Sequence, residues 1–362
     1  MKQYVKVLSF SLALTSFSAF ADIDYGGRTT LLLGVEDAKY HTENRDYIYG
    51  DSSLFLDAKT EKTGNWNFGF YAEVESESDD FLKESYVYAQ NNFARFELGR
   101  AKNMSEKMHI AIPDSTGLSF NRESYIYDLF DTKSVSLMSS SAIVTDDHTQ
   151  KVSFITTPWN GFQIGGSYLP KIINKSQTTE NILDEKSIDD GIIGAIKYKY
   201  DGGYSKVAFS LGFARFNNLH NFQSDPLGIK ISAEKREEIN VGLNLNFGSW
   251  LIGFNAKKIN ETPNILDINS ASQEGTTWGG GIGYEFLMFN TNISFQHTDI
   301  EGNKTNSLND KTDLFLWGLS YKYTADIKLW TGLGYAKFTD ETRINQNGNK
   351  GGFFSLGTSI DF

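Results

Sequence analysis

The stretch from Trp66 to Glu77, WNFGFYAEVESE, alternates between apolar and polar side chains along its whole length. One face of an extended chain would carry the apolar side chains Trp66, Phe68, Phe70, Ala72 and Val74. The other face would carry polar or small side chains, namely Asn67, Gly69, Tyr71, Glu73, Glu75 and Glu77. A period of two residues indicates a β-strand whose two faces meet different surroundings.

The same alternation returns along the rest of the chain. It is clearest in residues 237–247, 278–286 and 289–295, where apolar residues alternate with Asn, Gly, Ser and Glu. About 16 such segments follow one another between Ile23 and Phe362. Short connections alternate with long polar ones, of which 101–147 is the longest. This arrangement predicts an antiparallel meander in which each strand neighbours the next.

The polar face decides between a soluble sandwich and a membrane barrel. A soluble sandwich buries one face of each sheet in a shared apolar core. A closed barrel instead meets lipid on its outside and water inside, and it leaves no unpaired strand edge. Trp66, Trp159 and Trp250 lie beside short connections, as in the aromatic girdle of such barrels. The sequence predicts an all-β fold, a transmembrane antiparallel up-and-down β-barrel of about 16 strands.

The composition excludes several other classes of protein. The 362 residues include 40% hydrophobic and 22% charged side chains, and the formal net charge is −11. Helical membrane proteins need apolar runs of about 20 residues, and nucleic-acid binding needs clustered Lys and Arg. Since the chain has no cysteine, disulfide scaffolds and thiol catalysis are excluded.

The first 21 residues have the three parts of a secretory signal peptide. Lys2 and Lys6 precede the apolar stretch 7–17, and Ala19-Phe20-Ala21 provides the small residues of a cleavage site. Cleavage after Ala21 would leave 32 basic and 45 acidic residues, a net charge of −13. We expect an exported protein with one domain, residues 22–362.

Several motifs make the chain similar to a known family. The last strand alternates up to the C-terminal Phe362, which resembles the assembly signal of Gram-negative outer-membrane proteins. Further matches are Tyr25-Gly26, Lys83-Glu84-Ser85-Tyr86-Val87, Phe96-Glu97-Leu98-Gly99-Arg100 and Thr157-Pro158 with Gly161-Phe162 and Tyr168. In this order they resemble the trimeric general diffusion porins. The resemblance implies a homotrimer in the cell outer membrane, in contact with lipid and lipopolysaccharide and inserted by the barrel-assembly machinery.

The resemblance also implies a constriction of the lumen by the third loop, about residues 101–147. In the family, carboxylates on this loop face basic side chains on the barrel wall. The candidate loop carboxylates are Asp114, Glu123, Asp128 and Asp131, and the candidate wall residues are Arg28, Lys83, Arg95 and Arg100. The loop departs from the family motif at residues 113–117, and Leu54 stands where an arginine is usual.

The function predicted is passive diffusion of small hydrophilic solutes and ions, with a mild preference for cations. Glu73, Glu75 and Glu77 would form an acidic row along the lumen, which would attract cations. Two alternatives stay open. A channel selective for oligosaccharides would use inward aromatics such as Tyr71, Trp330 and Phe353, whereas an adhesin or a barrel enzyme would use its external loops. No motif for a cofactor, a metal or catalysis is present in the sequence, and no nucleic-acid partner is expected.

Overall fold

The computed structural model describes most of the chain after residue 21. The described ranges are 22–38, 46–76, 82–116, 140–146, 148–170, 172–175, 185–222, 231–263, 274–301, 309–340 and 348–362, with the single residues 118, 130, 135 and 138.

The described residues form eighteen strands and one short helix. The first nine strands are β1 (Asp22–Ala38), β2 (Asp46–Lys59), β3 (Asn67–Glu75), β4 (Leu82–Gln90), β5 (Ala94–Arg100), β6 (Gln150–Thr156), β7 (Phe162–Leu169), β8 (Ile172–Lys175) and β9 (Glu185–Ile188). The others are β10 (Asp190–Asp201), β11 (Ser205–Phe222), β12 (Ile231–Phe247), β13 (Trp250–Pro263), β14 (Gly275–Phe286), β15 (Phe289–Glu301), β16 (Asn309–Lys322), β17 (Ile327–Thr339) and β18 (Asn349–Asp361). The helix α1 (Met104–Met108) follows β5.

Sixteen of these strands close into one antiparallel barrel. Each strand pairs with its neighbours in sequence, and β1 pairs with both β2 and β18, which closes the circle. The strands β8 and β9 pair with each other within the connection 170–189, and β9 also pairs with β11, while β7 pairs directly with β10 in the barrel wall. The predicted fold class and strand number are confirmed. Because every strand has two partners, no edge of the barrel wall is left open.

The connections divide between the two rims. One rim carries seven short turns, at residues 60–66, 91–93, 157–161, 202–204, 248–249, 287–288 and 323–326. The other carries the segment 101–149 and the hairpin connection 170–189. Gly248 closes the two-residue turn between β12 and β13 with a φ of 56°, a conformation that glycine adopts without steric cost. Trp159, Tyr204 and Trp250 are exposed beside the short turns, as an interfacial girdle requires.

The two faces of the wall differ in the way that the alternation predicts. On β15 the outward Ile293 is 52% exposed, whereas its inward neighbours Asn292 and Ser294 are 3% and 1% exposed. Exposed apolar side chains also cover the outside of β1, β7 and β13. The outer surface therefore suits a hydrocarbon solvent, and the inner surface holds polar side chains that find partners inside the barrel.

A register shift between β3 and β4 changes where one basic residue points. Glu73 pairs with Glu84 and Val74 pairs with Leu82, so Lys83 is the extra residue of a bulge. Lys83 and Glu84 are consequently both buried, although strict alternation would place them on opposite faces. The bulge lets Lys83 reach Glu75 at 2.7 Å.

Candidate functional site

The segment that follows β5 lies against the inner wall of the barrel. The backbone N–H of Met104 donates to Ser167 Oγ of β7 at 3.0 Å, and that of Ile110 donates to Ser210 Oγ of β11 at 2.9 Å. Farther along, Asn244 of β12 donates to the carbonyl oxygen of Ala111 at 3.1 Å. Inward polar side chains therefore satisfy backbone groups of this segment that would otherwise be buried without partners.

Asn292 of β15 continues the same arrangement. Its Oδ1 accepts from the backbone N–H of Ser115 at 2.8 Å, and its Nδ2 donates to the carbonyl oxygen of Pro113 at 3.1 Å. Ser294, two residues along β15, also donates to Pro113. One amide side chain thus binds both a backbone N–H and a backbone carbonyl of the segment, and these two bonds fix the position of the segment on the wall.

An apolar cluster anchors the next part of the segment. Ile112, Leu118, Phe130 and Val135 pack on inward side chains of β1 and β16–β18. The wall contributes Leu32, Leu314, Leu316, Trp330, Ala336, Phe338 and Phe353. Burial of a large apolar side chain contributes about 1.5–3 kcal/mol. This cluster is therefore a strong attachment between the segment and the wall.

A buried polar network joins the two ends of the segment to each other. Asn103, which caps α1 by accepting from the N–H of Glu106, donates to Asp146 Oδ1 at 2.6 Å and to the carbonyl oxygen of Ile143 at 2.8 Å. Asp146 pairs with Lys151 of β6 at 2.9 Å, and neither side chain is exposed. Lys151 also donates to the carbonyl oxygen of Ala101. We call Ala101, Asn103, Asp146 and Lys151 the base network.

A second group of buried charges holds the returning part of the segment. Arg236 of β12 pairs with Glu238 at 2.7 Å and with Glu261 of β13 at 2.8 Å. Glu238 accepts from Thr145, and Lys257 of β13 donates to the carbonyl oxygen of Ala142 at 2.9 Å. Since Arg236, Glu238 and Glu261 are paired as well as hydrogen-bonded, their burial is compensated.

His109 links the outgoing and returning parts of the segment. Asn240 of β12 donates to His109 Nδ1 at 3.3 Å and to the carbonyl oxygen of Ser141 at 3.1 Å. His109 Nε2 then donates to Ser141 Oγ at 2.9 Å. Burial, together with the nearby positive charges of Lys257 and Lys197, lowers the pKa of His109 to about 4. The imidazole is therefore neutral at pH 7.

A water-accessible cavity of about 830 Å³ remains beside the segment. Among the described residues, its basic lining side chains are Arg28, Lys102, Lys107, Lys322 and Lys328, and its acidic ones are Asp51, Glu106, Asp326 and Asp361. Serine and threonine side chains from β1, β16 and β18 also line it, together with uncharged residues of the segment and of other strands. The cavity is polar, and its positive and negative charges nearly balance.

The comparisons with known proteins agree with this architecture. The sequence matches the Gram-negative porin family over residues 9–341. The chain belongs to this family. Among solved structures, the porin is similar to a loop-deletion variant of OmpT, an outer-membrane protein of Vibrio cholerae, with a TM-score of 0.63, 14% identity and coverage of 94% of this chain and 99% of that one.

Two further structures have the same fold. OmpF of Salmonella typhi, in complex with daunomycin, has a TM-score of 0.61 at 12% identity, covering 94% of this porin and 97% of OmpF. An anion-selective porin from Comamonas acidovorans has a TM-score of 0.60 at 16% identity, covering 94% and 100% of the two chains. No curated protein matches the sequence. The family is that of the Gram-negative porins, and the barrel fold is shared with these structures.

The predicted basic residues of the porin wall lie in different surroundings. Arg28 lines the cavity and pairs with Asp361 at 2.6 Å. Lys83 pairs with Glu75, and Arg95 pairs with Glu97 at 3.1 Å while lying 3.7 Å from the centre of the Tyr88 ring. Arg100 is half-buried at the end of β5. The first three residues therefore each have a carboxylate partner on the wall itself.

Of the predicted loop carboxylates, the structure describes Asp114. Its Oδ1 accepts from the backbone N–H and the hydroxyl of Thr116, both at 2.8 Å. Burial raises the pKa of this carboxyl, and the two hydrogen bonds from Thr116 oppose the rise. Glu123, Asp128 and Asp131 lie outside the described residues, as does the signal segment 1–21.

The described contacts between the segment and the β4–β5 wall have the opposite polarity to the one expected. Lys107 of α1 pairs with Glu97 at 2.6 Å, and Lys102 lies 3.8 Å from Glu84. Here the segment supplies the cations and the wall supplies the carboxylates. Sequence reasoning did not single out these pairs, because Glu84 and Glu97 stood within motifs that were used only to recognise the family.

The two carboxylates of the predicted acidic row that the structure describes, Glu73 and Glu75, both have partners. Glu73 accepts from the Tyr71 hydroxyl at 3.0 Å, and Glu75 pairs with Lys83. Glu77 lies outside the described residues. A lone carboxylate would attract cations more strongly than a paired one, so the row has less effect than three free charges would have.

The inward aromatics do not form an exposed track in the described part of the lumen. Trp330 and Phe353 are 3% and 4% exposed because the apolar cluster covers them. Tyr71 is half-buried and stacks on Tyr86 with ring centres 5.1 Å apart. Of the three aromatic side chains that favoured an oligosaccharide-selective channel, Tyr71 is therefore the one that stays partly accessible.

The base network was missed by sequence reasoning. Asn103, Asp146 and Lys151 belong to no motif, and their partners are up to 50 residues apart in sequence. The signal that could have found the wall contacts is the run of Asn and Ser at inward positions, such as Asn240, Asn292 and Ser294. These inward polar side chains form hydrogen bonds with backbone groups of the segment that follows β5.

Proposed function

We propose that this outer-membrane porin forms a water-filled channel for the passive diffusion of small hydrophilic solutes and ions. The observation that carries the proposal is the polar cavity beside the segment 101–149, which is enclosed by a barrel with an apolar outer surface. The segment narrows the lumen, and Glu123, Asp128 and Asp131 add carboxylates to it. The signal peptide 1–21 is cleaved after Ala21, and the barrel-assembly machinery inserts the mature chain beside lipid and lipopolysaccharide.

Planar-bilayer recording of the purified protein tests this function. We expect discrete, ohmic conductance steps, and liposomes containing the protein should swell in isotonic solutions of small sugars. A current that one oligosaccharide blocks at low concentration would support the selective-channel alternative instead. Intact barrels that neither conduct nor admit sugars would contradict the proposal.

The porin assembles as a homotrimer through the outer face of β1–β3. This face carries hydroxyl groups among its apolar residues. Thr29 Oγ1 lies 3.1 Å from Ser52 Oγ, and the Ser52 backbone N–H donates to Ser76 Oγ at 3.0 Å. Small and hydroxyl-bearing residues allow close contact between membrane-spanning elements. A structurally similar protein, OmpT of Vibrio cholerae, is described in a trimer form.

A bulky residue at the centre of this face is expected to separate the subunits. Ser52→Trp should convert SDS-resistant trimers into monomers that still show the heat-dependent gel shift of a folded barrel. Ile293→Trp, on the outer face of β15, is the matched control and should remain trimeric. Unboiled gel electrophoresis measures both variants. Trimers of Ser52→Trp in wild-type amount would show that the contact lies elsewhere.

The porin prefers cations weakly, through Glu73 and Glu75. Replacing both by Gln removes two carboxylates from the inner wall, so the reversal potential across a tenfold KCl gradient should move toward anion preference. Screening acts over about 10 Å at 0.1 M salt, so the shift should shrink as salt rises. Glu61→Gln, in the exposed 60–66 turn, is the control. Anion preference of the wild type, or equal potentials in the double variant, would refute this assignment.

A further inference from the structure

A series of glycines lies under the segment along the inner wall. They are Gly165 on β7, Gly212 on β11, Gly242 on β12, Gly253 on β13, Gly281 on β14, Gly318 on β16 and Gly332 on β17, and we call them the glycine track. A β-carbon added at any of them would meet a residue of the segment. On β15, which has no glycine in the track, Asn292 and Ser294 bind the segment instead.

The order of these contacts is the same along the wall and along the chain. Gly165 lies beneath Met104 and Met108, Gly212 beneath Ser105, and Gly242 beneath Ile110. The remaining contacts, in order, are Gly253 and Gly281 with Pro113, Gly318 with Ser115 and Thr116, and Gly332 with Leu118. The segment therefore follows the wall around the barrel instead of crossing the lumen at a single point.

At several of these glycines the space beneath the segment is too small for a side chain unless the segment or the wall shifts. A β-carbon at Gly318 would lie 2.6 Å from Thr116 Cγ2, and one at Gly332 would lie 2.8 Å from Leu118 Cδ1. At Gly242 it would overlap the carbonyl group of Ile110, which is backbone and cannot rotate away as a side chain can. A substitution at Gly242 must therefore displace the segment from the wall or distort the wall itself, whereas at Gly318 and Gly332 a side chain of the segment must shift.

The opposite side of the segment faces the cavity. His109, Ala111 and Thr116 line it, and all three lie within the stretch that the track supports. Because the segment stands between the track and the cavity, a displacement away from the wall moves these residues into the water-filled space.

We propose that the glycine track sets the width of the pore, and with it the largest solute that passes. Glycine is required at these positions because it brings the backbone of the segment closest to the wall, which leaves the cavity at its widest. The track is thus a size-determining element of the channel. This inference rests on the proposed function, since it gives a cause for the exclusion limit of that channel.

The test compares one inward with one outward glycine. Gly242→Ala and Gly242→Val should lose single-channel conductance and admit only smaller sugars in liposome swelling, with the larger loss in the valine variant. Gly280→Ala on β14 is the matched control, because its β-carbon would face outward, 3.6 Å from its nearest neighbour. It should conduct as the wild type does. Heat-dependent gel shifts verify that every variant is folded.

A compensating pair separates displacement of the segment from damage to the barrel. Gly253→Ala would clash with the ring of Pro113 and with the amide of Asn244; Pro113→Ala removes the ring atoms involved, and the Asn244 amide is the end of a side chain that can rotate. Gly253→Ala alone should narrow the pore, and the double variant should recover the conductance and exclusion limit. General loss of barrel structure would give no such recovery.

The outcomes distinguish this inference from the proposed function. Wild-type protein that forms no channel refutes the function. A conducting wild type with folded Gly242 variants of unchanged conductance and exclusion limit refutes the role of the track. If the Gly242 variants do not fold, the Gly253 pair decides: equal conductance in the single and double variants also refutes it.

Discussion

Lys151→Met is expected to release the base of the constricting segment and to destabilise the protein by about 3–5 kcal/mol, the usual cost of leaving one buried charge without its partner. Lys151 pairs with Asp146 at 2.9 Å, with both side chains fully buried, and it also holds the carbonyl oxygen of Ala101. The variant would leave the Asp146 carboxylate with Asn103 as its remaining partner within the base network.

Two measurements follow the release. When samples are heated to increasing temperatures before electrophoresis, the folded band should convert to the unfolded band at a lower temperature than in the wild type. Bilayer currents should become noisier, because the segment moves more when its base is less firmly held. Lys206→Met is the control, because its pair with Asp201 is exposed and such surface pairs contribute only about 0–1 kcal/mol. Equal shift temperatures and equal current noise in the two variants would contradict the role of the base network.

A second variant identifies the buried charge as the cause. Combining Lys151→Met with Asp146→Leu removes both charges, and replacing a whole buried pair by apolar residues is often neutral or stabilising. We therefore expect the double variant to recover much of the lost thermal stability. A double variant less stable than Lys151→Met would show that hydrogen bonding by Asp146 matters more than its unpaired charge.

Deleting Phe362 is expected to reduce the amount of porin in the outer membrane sharply. The backbone N–H and carbonyl of Phe362 exchange hydrogen bonds with Gly27 at 3.0 and 2.9 Å, at the seam where β18 meets β1. The deletion removes the last pair of bonds that closes the barrel, together with the aromatic end that resembles the family's assembly signal. The unboiled gel of membrane fractions measures the effect.

Phe362→Tyr is the matched control for this deletion. It keeps the backbone bonds to Gly27 and an aromatic ring that is exposed at the rim. We expect its trimer level to equal that of the wild type. Trimers at wild-type level in the deletion strain would show that neither the seam bonds nor the terminal ring is needed for assembly.

Much of the barrel could be predicted because its strands follow one simple rule. Lipid on one side and a polar interior on the other impose a period of two, and residues 66–77 and 289–295 display it without interruption. Gly279 and Gly281 stand at inward positions of the alternating segment 278–286, and a β-carbon at either would meet Ile112 or Pro113. The sequence could not show which partner occupied that space.

The charges of the lumen were harder to predict. Strict alternation places Lys83 and Glu84 on opposite faces, but the bulge buries both side chains and lets Lys83 form an ion pair with Glu75. Arg28 finds Asp361 across the closing seam of the barrel, 333 residues away in sequence. A bulge and a closing seam both depend on pairings between strands, so residue spacing along the chain did not reveal them.

The sequence by itself determined that this chain is a closed antiparallel barrel with an apolar exterior, because the alternation of each strand records the two surroundings that it meets. Only the tertiary structure decided where the segment after β5 lies and which charges it contacts. Its position depends on single backbone hydrogen bonds to Ser210 and Asn292, on the glycine track and on the buried pair of Asp146 and Lys151. These contacts join residues that are distant in sequence, and they form only after the barrel has brought its strands together.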